Sequence, residues 1–185
     1  MLPQSDYNRE NWQTVSMSKH YPDRDAWLRM QDAALLGNCD EERFRASGPG
    51  GQRRNKVETA VRLHHRPSGL VAQAVESRSL EENRGNAVRR LREQIALELR
   101  QPFDLESPSL PPEYLAQRGT DCSLAVNPRN PGYPIIMATV LDALTAAGGS
   151  YAKAAHALGL TTSQLLRFLR SDTHLWRVTQ RPDTS

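Results

Sequence analysis

Cysteine is nearly absent from this sequence: two in 185 residues, Cys39 and Cys122, far apart in the chain. That scarcity argues against a disulfide framework or a cysteine zinc site, and predicts two free thiols in a reducing compartment. Long apolar runs are missing too. No stretch approaches the roughly 20 consecutive apolar residues that a membrane-spanning helix needs, and the N-terminus has no signal-peptide pattern. The expectation is a soluble, cytoplasmic protein with no membrane partner. At 185 residues the chain suits one good-sized domain or two small ones, long enough for a core without staples.

What is present is unevenly charged. The net charge is +3, but residues 43–100 hold 13 Arg and Lys against 6 Asp and Glu, so this segment carries +7 and the rest of the chain −4. An arginine-rich block points to a polyanion, most simply nucleic acid. A solvated charged face gives the same count, so charge alone does not decide.

The block opens with Arg45-Ala46-Ser47-Gly48-Pro49-Gly50-Gly51-Gln52-Arg53-Arg54-Asn55-Lys56. Gly48, Gly50 and Gly51 allow backbone conformations closed to other residues and a close approach to a partner. Pro49 shapes the loop by fixing its own φ and biasing Gly48 toward an extended form. Such a stretch buries no apolar surface. It can project one glutamine and its backbone N–H into a narrow space, with cations behind.

Residues 1–21 are polar and without period, which predicts a flexible or loosely docked leader. A helix is expected from Pro22-Asp23, with Asp23 as N-cap, Trp27, Leu28, Met30, Ala34 and Leu35 as its apolar stripe, and Gly37 as its stop. Residues 42–47 read as a short strand entering the glycine loop. Val57, Thr59, Val61 and Leu63 alternate with more polar neighbours as a half-buried strand. Arg66-Pro67-Ser68-Gly69 makes a tight turn, and residues 70–76 return as its partner. His64 and His65 are expected at the strand end, structural or RNA-facing, and not in a metal site. Ser79 with Glu82 has the form of a capping box, ahead of a helix striped by Val88, Leu91, Ile95 and Leu99. Together these elements predict an α+β domain over residues 22–101.

Residues 102–134 are rich in proline and glycine and read as a linker, with one turn of helix around 112–117. Residues 135–181 read as a C-terminal all-α unit. A helix runs to Ala147, a second is capped by Ser150 and broken by Gly159, a third starts at Thr161, and a last one starts at Asp172. Ala155, Gly159 and Leu165 have the spacing of a helix-turn-helix. That unit could read DNA, contact rRNA or mRNA, or serve packing and protein docking.

The order Arg45-x-Ser47-Gly48-Pro49-Gly50-Gly51-Gln52-x-x-Asn55-Lys56, then Ala60-Val61-Arg62-Leu63, His65-x-Pro67-x-Gly69, Arg78-Ser79 and Asn83-Arg84, resembles the catalytic domain of class I peptide chain release factors. A bare Gly-Gly-Gln is weak; this pattern extends over about sixty residues with strand, turn and helix between its parts. The resemblance implies hydrolysis of the ester joining nascent peptide to tRNA, with Gly50, Gly51 and Gln52 as catalytic positions. It implies Arg45, Ser47, Arg53, Arg54, Asn55, Lys56, Arg62, Arg78, Asn83 and Arg84 as rRNA- or tRNA-contacting residues. The partners implied are the large ribosomal subunit and peptidyl-tRNA, with mRNA or an additional rescue factor left open, and no cofactor or metal.

Arg53 and Arg54 stand where the family usually has histidine or asparagine and then valine, and Leu80 where it usually has glutamine. No tripeptide resembles those the family uses to read stop codons. The codon-recognition and N-terminal domains of full-length relatives are not expected here, nor is the Lys/Arg-rich tail of some short ones. The expectation is therefore codon-independent release, of the kind that rescues stalled ribosomes. Its rival is a non-catalytic RNA- or DNA-binding protein.

Overall fold

Ala60, Val61, Leu63 and His65 are all buried, on one short strand, and that strand is the centre of the first unit. The structure, a computed structural model, describes residues 21–45 and 58–180. These residues divide into two units, Asp25–Ile95 and Ala96–Ser185, the second taking in the chain up to Arg24. The leader expected at 1–21 falls, but for Tyr21, outside the described residues.

The first unit places helices α1 (Arg24–Arg29) and α2 (Asp32–Gly37) ahead of three strands, β1 (Cys39–Phe44), β2 (Ala60–His65) and β3 (Val71–Ala74). Helix α3 (Leu80–Glu98) follows. The sheet is antiparallel in the order β1-β2-β3, with Cys39 opposite His65, Phe44 opposite Ala60 and Val61 opposite Ala74. Ala87, Val88, Leu91 and Ile95 recur at helical spacing along α3, and all are buried. With Leu28, Leu35, Ala72 and Ala74 they form the core of an α+β unit.

Three local expectations change. The single helix over 22–37 is broken at Met30: the Met30 carbonyl, which a continuing helix would give to Ala34, accepts from the Arg92 guanidinium, and Arg92 also binds Asp32. Strand β1 starts at Cys39, ahead of the expected 42, because the Asn38 carbonyl takes the Arg66 N–H (3.1 Å) and the Arg66 side chain reaches the Cys39 carbonyl at 2.9 Å and the Asp40 carboxylate at 2.7 Å. The capping box forms by half. Ser79 Oγ accepts from the Glu82 N–H at 3.3 Å, while the Glu82 carboxylate takes the Ser77 hydroxyl instead.

His65 is a correction to any RNA-facing role. Its side chain is fully buried, Nδ1 lies 2.7 Å from Ser68 Oγ, and the ring meets Trp27 edge-on at 4.8 Å. It pins the 66–69 turn, where Gly69 supplies the positive φ of +75°. Burial, with Arg66 adding, holds its pKa below the ordinary 6.5. The folded chain therefore keeps this imidazole neutral while the unfolded chain protonates below about 6.5, so stability falls as pH drops through that value. We expect the urea midpoint to decline from pH 7 to pH 5, by up to about 1.4 kcal/mol per pH unit from this group. His65→Gln flattens the decline. An equally steep profile in that variant would remove His65 as the cause.

In the second unit α4 (Pro112–Leu115) precedes α5 (Tyr133–Ala146), α6 (Tyr151–Leu158), α7 (Thr162–Ser171) and α8 (Thr173–Gln180). Helix α5 is buried nearly all round, through Ile135, Ile136, Met137, Leu141 and Leu144. Within the proline-rich stretch Tyr114 is fully buried, and its hydroxyl donates to the Leu158 carbonyl at 2.8 Å. Inside the unit, Arg24 donates to the Leu99 carbonyl at 3.1 Å and lies 2.7 Å from the Asp142 carboxylate, which also accepts the Gln101 N–H at 3.0 Å. Burial pushes the Asp142 carboxyl up to about 6, against the pull of Arg24.

The expected caps are in place. Ser150, Thr161 and Asp172 side chains accept from Lys153, Gln164 and His174 N–H groups respectively. Gly159 ends α6 in the left-handed conformation, at φ 66° and ψ 34°. Ala155 and Leu165 are buried, completing a helix-turn-helix of α6 and α7 with Gly159-Leu160-Thr161 as its turn. A Cβ on Gly159 would clash with the far end of the Arg118 side chain, and the positive φ would strain it further. We expect Gly159→Ala to destabilise the chain by roughly 1–2 kcal/mol, read as a lower thermal midpoint. A midpoint unchanged or raised would contradict the strain.

Candidate functional site

Residues 46–57 join the neighbouring ends of β1 and β2, so the described structure supplies the stem of that connection. Gly50, Gly51, Gln52, Ser47, Arg53, Arg54, Asn55 and Lys56 lie outside the described residues. Of the site residues expected from sequence, Arg45, Arg62, Arg78, Asn83 and Arg84 are within them.

The stem is closed by backbone pairing of Phe44 with Ala60 and, one step further out, by Arg45 and Glu58, 3.4 Å apart. Both of those side chains are more than half exposed, so their pair contributes under about 1 kcal/mol. Its effect is to hold the two chain ends in register. Below it the Arg62 guanidinium sits 4.9 Å over the Phe44 ring and donates to Glu42 at 3.0 Å and to Gln73 at 3.4 Å.

Asn83 fixes the other side of the stem. It is fully buried, and its amide donates to the Thr59 carbonyl at 2.6 Å and the Ser77 carbonyl at 2.9 Å. Its oxygen accepts the Ser77 N–H at 2.9 Å. One side chain thus ties the residue just before β2 to the segment leading into α3. Both amide hydrogens are spent inside the fold and the side chain is fully buried, so Asn83 holds the stem and presents no side-chain donor at the surface. The sequence signal for this was only its place at the fourth residue of a well-capped helix.

Arg84, beside it, is also committed. Its guanidinium makes a two-pronged contact with Glu41, at 2.8 and 2.9 Å, and reaches Glu81 at 3.0 Å. The Arg84 hydrogen bonds, with Arg43 adding, hold the Glu41 carboxyl below the usual range. Arg66 faces Asp40, Arg90 faces Glu76 and Arg92 faces Asp32. Arg78 differs: it is exposed and makes no side-chain bond among the described residues.

This pairing redraws the charge map. Residues 25–95 hold 13 Arg and Lys against 10 Asp and Glu. Three of those cations, Arg53, Arg54 and Lys56, and none of the acids fall within 46–57. The remainder balances ten against ten. A count begun at Arg43 misses Asp40, Glu41 and Glu42, the run on β1 that neutralises its neighbours. The uncompensated charge of this unit therefore belongs to the connection between β1 and β2.

Comparison with known proteins agrees with this architecture. The RF-1 domain matches residues 37–108, from the end of α2 through the stem and α3. Peptide chain release factor 1 of Chlorobaculum tepidum is 50% identical over 71 residues, 38% of this chain and 18% of that protein. Peptide chain release factor 1 of Thermotoga maritima is 38% identical over 82 residues, 44% of this chain and 22% of that protein. Peptide chain release factor 2 of Variovorax paradoxus is 52% identical over 52 residues, 28% of this chain and 14% of that protein. The chain thus matches about a fifth of the length of these relatives, and its α4–α8 segment lies beyond the matched domain. With a β1-β2-β3 sheet and a closed stem, residues 37–108 match the RF-1 domain, and over this stretch the chain is similar to peptide chain release factors 1 and 2.

Proposed function

We propose that this protein hydrolyses the ester of peptidyl-tRNA on the ribosome without codon instruction, as in the rescue of stalled ribosomes. The observation that carries the reading is the coincidence of an RF-1 domain with Gly50-Gly51-Gln52 in the connection that its hairpin stem brackets.

Ester hydrolysis passes through a tetrahedral intermediate whose oxygen bears negative charge, and a positioned backbone N–H stabilises it. In this reading the Gln52 N–H is that donor, and the Gln52 side chain shapes the space for the attacking water and keeps larger nucleophiles out. Gly50 and Gly51 give the backbone room to approach. The connection 46–57 has no carboxylate or histidine to act as general base, so the ribosome and the terminal ribose of the tRNA complete the site. Arg53, Arg54 and Lys56 supply the charge that meets RNA phosphates.

The test is peptide release by the purified chain from ribosomes stalled on an mRNA without a stop codon. We expect release there, abolished by Gln52→Ala. Release that appears only when a stop codon occupies the decoding site would defeat the codon-independent reading. Release from free peptidyl-tRNA alone would make the protein a hydrolase of another kind. A non-catalytic binder would occupy ribosomes and release nothing.

The two arginines that depart from the family pattern have a separable role. Arg53→Gln with Arg54→Gln should raise the concentration for half-maximal release by roughly tenfold, from two lost phosphate contacts, with the saturated single-turnover rate unchanged. A fall in that rate at unchanged half-saturation would assign them to the chemical step instead.

A further inference from the structure

The last four helices, α5 to α8, treat their charges in the opposite way to the first unit. Residues 133–180 contain only two acids, Asp142 and Asp172. Asp142 is buried against Arg24, and Asp172 caps α8 while taking the Tyr133 hydroxyl at 3.0 Å. Lys153, Arg167, Arg170 and Arg177 are exposed and make no ion pair among the described residues. On α7 the buried side is Leu165, Phe168 and Leu169. The opposite stripe, with Ser163, Gln164, Arg167 and Arg170, borders a surface depression. The Arg170 guanidinium lies over the Trp176 ring on α8, 5.1 Å from its centroid, a cation–π contact that limits where the side chain can go.

The distribution along α7 says what such a face can bind. When the second helix of a helix-turn-helix reads base edges, its N-terminal residues do the reading. Here those positions are Thr161, Thr162, Ser163 and Gln164: three short hydroxyls, Thr161 being occupied as the N-cap, and one amide, so a single side chain at this end has the fork that pairs with a base edge. The cations stand in the middle and at the end of the helix, where phosphates and not base edges are the reachable groups. A helix also cannot enter the deep, narrow major groove of A-form RNA, so contact there is made with phosphate and ribose.

We propose that α7 docks on the sugar–phosphate backbone of double-helical RNA through Arg167 and Arg170, without reading its sequence. The choice of RNA over DNA rests on the ribosomal reading above; the phosphate-binding face itself does not.

The experiment uses the full chain and fluorescence anisotropy with a labelled 20-base-pair RNA duplex, a duplex of scrambled sequence, and DNA of the same sequence, between 50 and 200 mM salt. RNA is expected to bind at least as tightly as DNA and equally for both sequences, with affinity falling steeply as salt rises. Arg167→Gln with Arg170→Gln should weaken binding by about tenfold or more and lower the log–log salt slope by roughly 1.5–2. Arg167→Lys with Arg170→Lys should keep the slope. Both positions are exposed, and an unchanged circular dichroism spectrum shows that the fold is kept. The proposal is overturned if the glutamine pair binds as the wild type does, if DNA binds tenfold tighter than RNA, or if one duplex sequence is strongly preferred. Gln52→Ala separates the two readings: it should lose release and keep duplex affinity. A wild-type chain that binds duplex but releases no peptide would sink the catalytic reading and leave this one standing.

Discussion

Gly51→Ala is expected to slow single-turnover peptide release by about 10²–10³, the cost of losing one oxyanion donor in other acyl-transfer sites, and Gln52→Ala to abolish release with water. The two variants act by different routes. In the proposed site a methyl group added at Gly51 would restrict the backbone and take up space beside the ester, moving the N–H of the next residue off its target. At Gln52 the N–H survives and what goes is the side chain that fills the site around water. Bulky nucleophiles then become competent. Hydroxylamine added to the reaction should therefore restore product formation by Gln52→Ala more than by Gly51→Ala. Because neither substitution removes a charge, the phosphate-dependent term is kept and the concentration for half-maximal release should stay within about threefold of wild type. Release by Gly51→Ala at the normal rate would end the catalytic reading. An equal thermal midpoint in both variants is the control that assigns the loss to chemistry and not to unfolding.

The parts of this chain that could be read beforehand are those whose information is local. Strand β2 shows in the alternation around Val61 and Leu63, and α3 in the stripe from Val88 to Ile95. The caps of α6, α7 and α8 show in Ser150, Thr161 and Asp172. What could not be read depends on partners far along the chain. The break at Met30 is set by Arg92, 62 residues away, and no period around Met30 announces it. The early start of β1 was hidden because Asp40, Glu41 and Glu42 are poor strand formers. They are tolerated on an edge strand whose exposed carboxylates meet arginines from β2, α3 and the 66–69 turn. The same contacts explain why a basic count over 43–100 overstated the charge offered to RNA. Arg62 and Arg84 look like phosphate ligands in a list, and in the fold they already have carboxylates. Their pairs are at least partly exposed and individually weak, so RNA phosphates could compete for them. Asn83 is different, because nothing about its commitment is reversible without unfolding.

Asn83→Ala should therefore cost stability as well as release. The substitution leaves two carbonyls, of Thr59 and Ser77, and one N–H, of Ser77, without that partner in a partly buried place. Buried groups left without partners cost about 1–3 kcal/mol each, offset in part by relaxation and water entry. We expect a net loss of roughly 2–4 kcal/mol in urea unfolding. Since Thr59 lies two residues from the connection that carries Gly50-Gly51-Gln52, the freed stem should also lower the saturated release rate at temperatures where the chain remains folded. Half-saturation should hold, because no cation is lost. Asn83→Asp discriminates a specific clamp from general packing. Its oxygen can still accept from Ser77, but an ionised carboxylate would face the Thr59 and Ser77 carbonyls with nothing to donate. Its pKa in the folded state must then lie above the unfolded value of about 3.9. The penalty is full at pH 7 and shrinks as pH falls, since the protonated acid regains one donor. Relative to wild type at each pH, Asn83→Asp should recover stability from pH 7 to pH 5 while Asn83→Ala does not. Equal pH behaviour of the two variants, or a loss under about 0.5 kcal/mol in Asn83→Ala, would mean that the stem is held by the sheet alone.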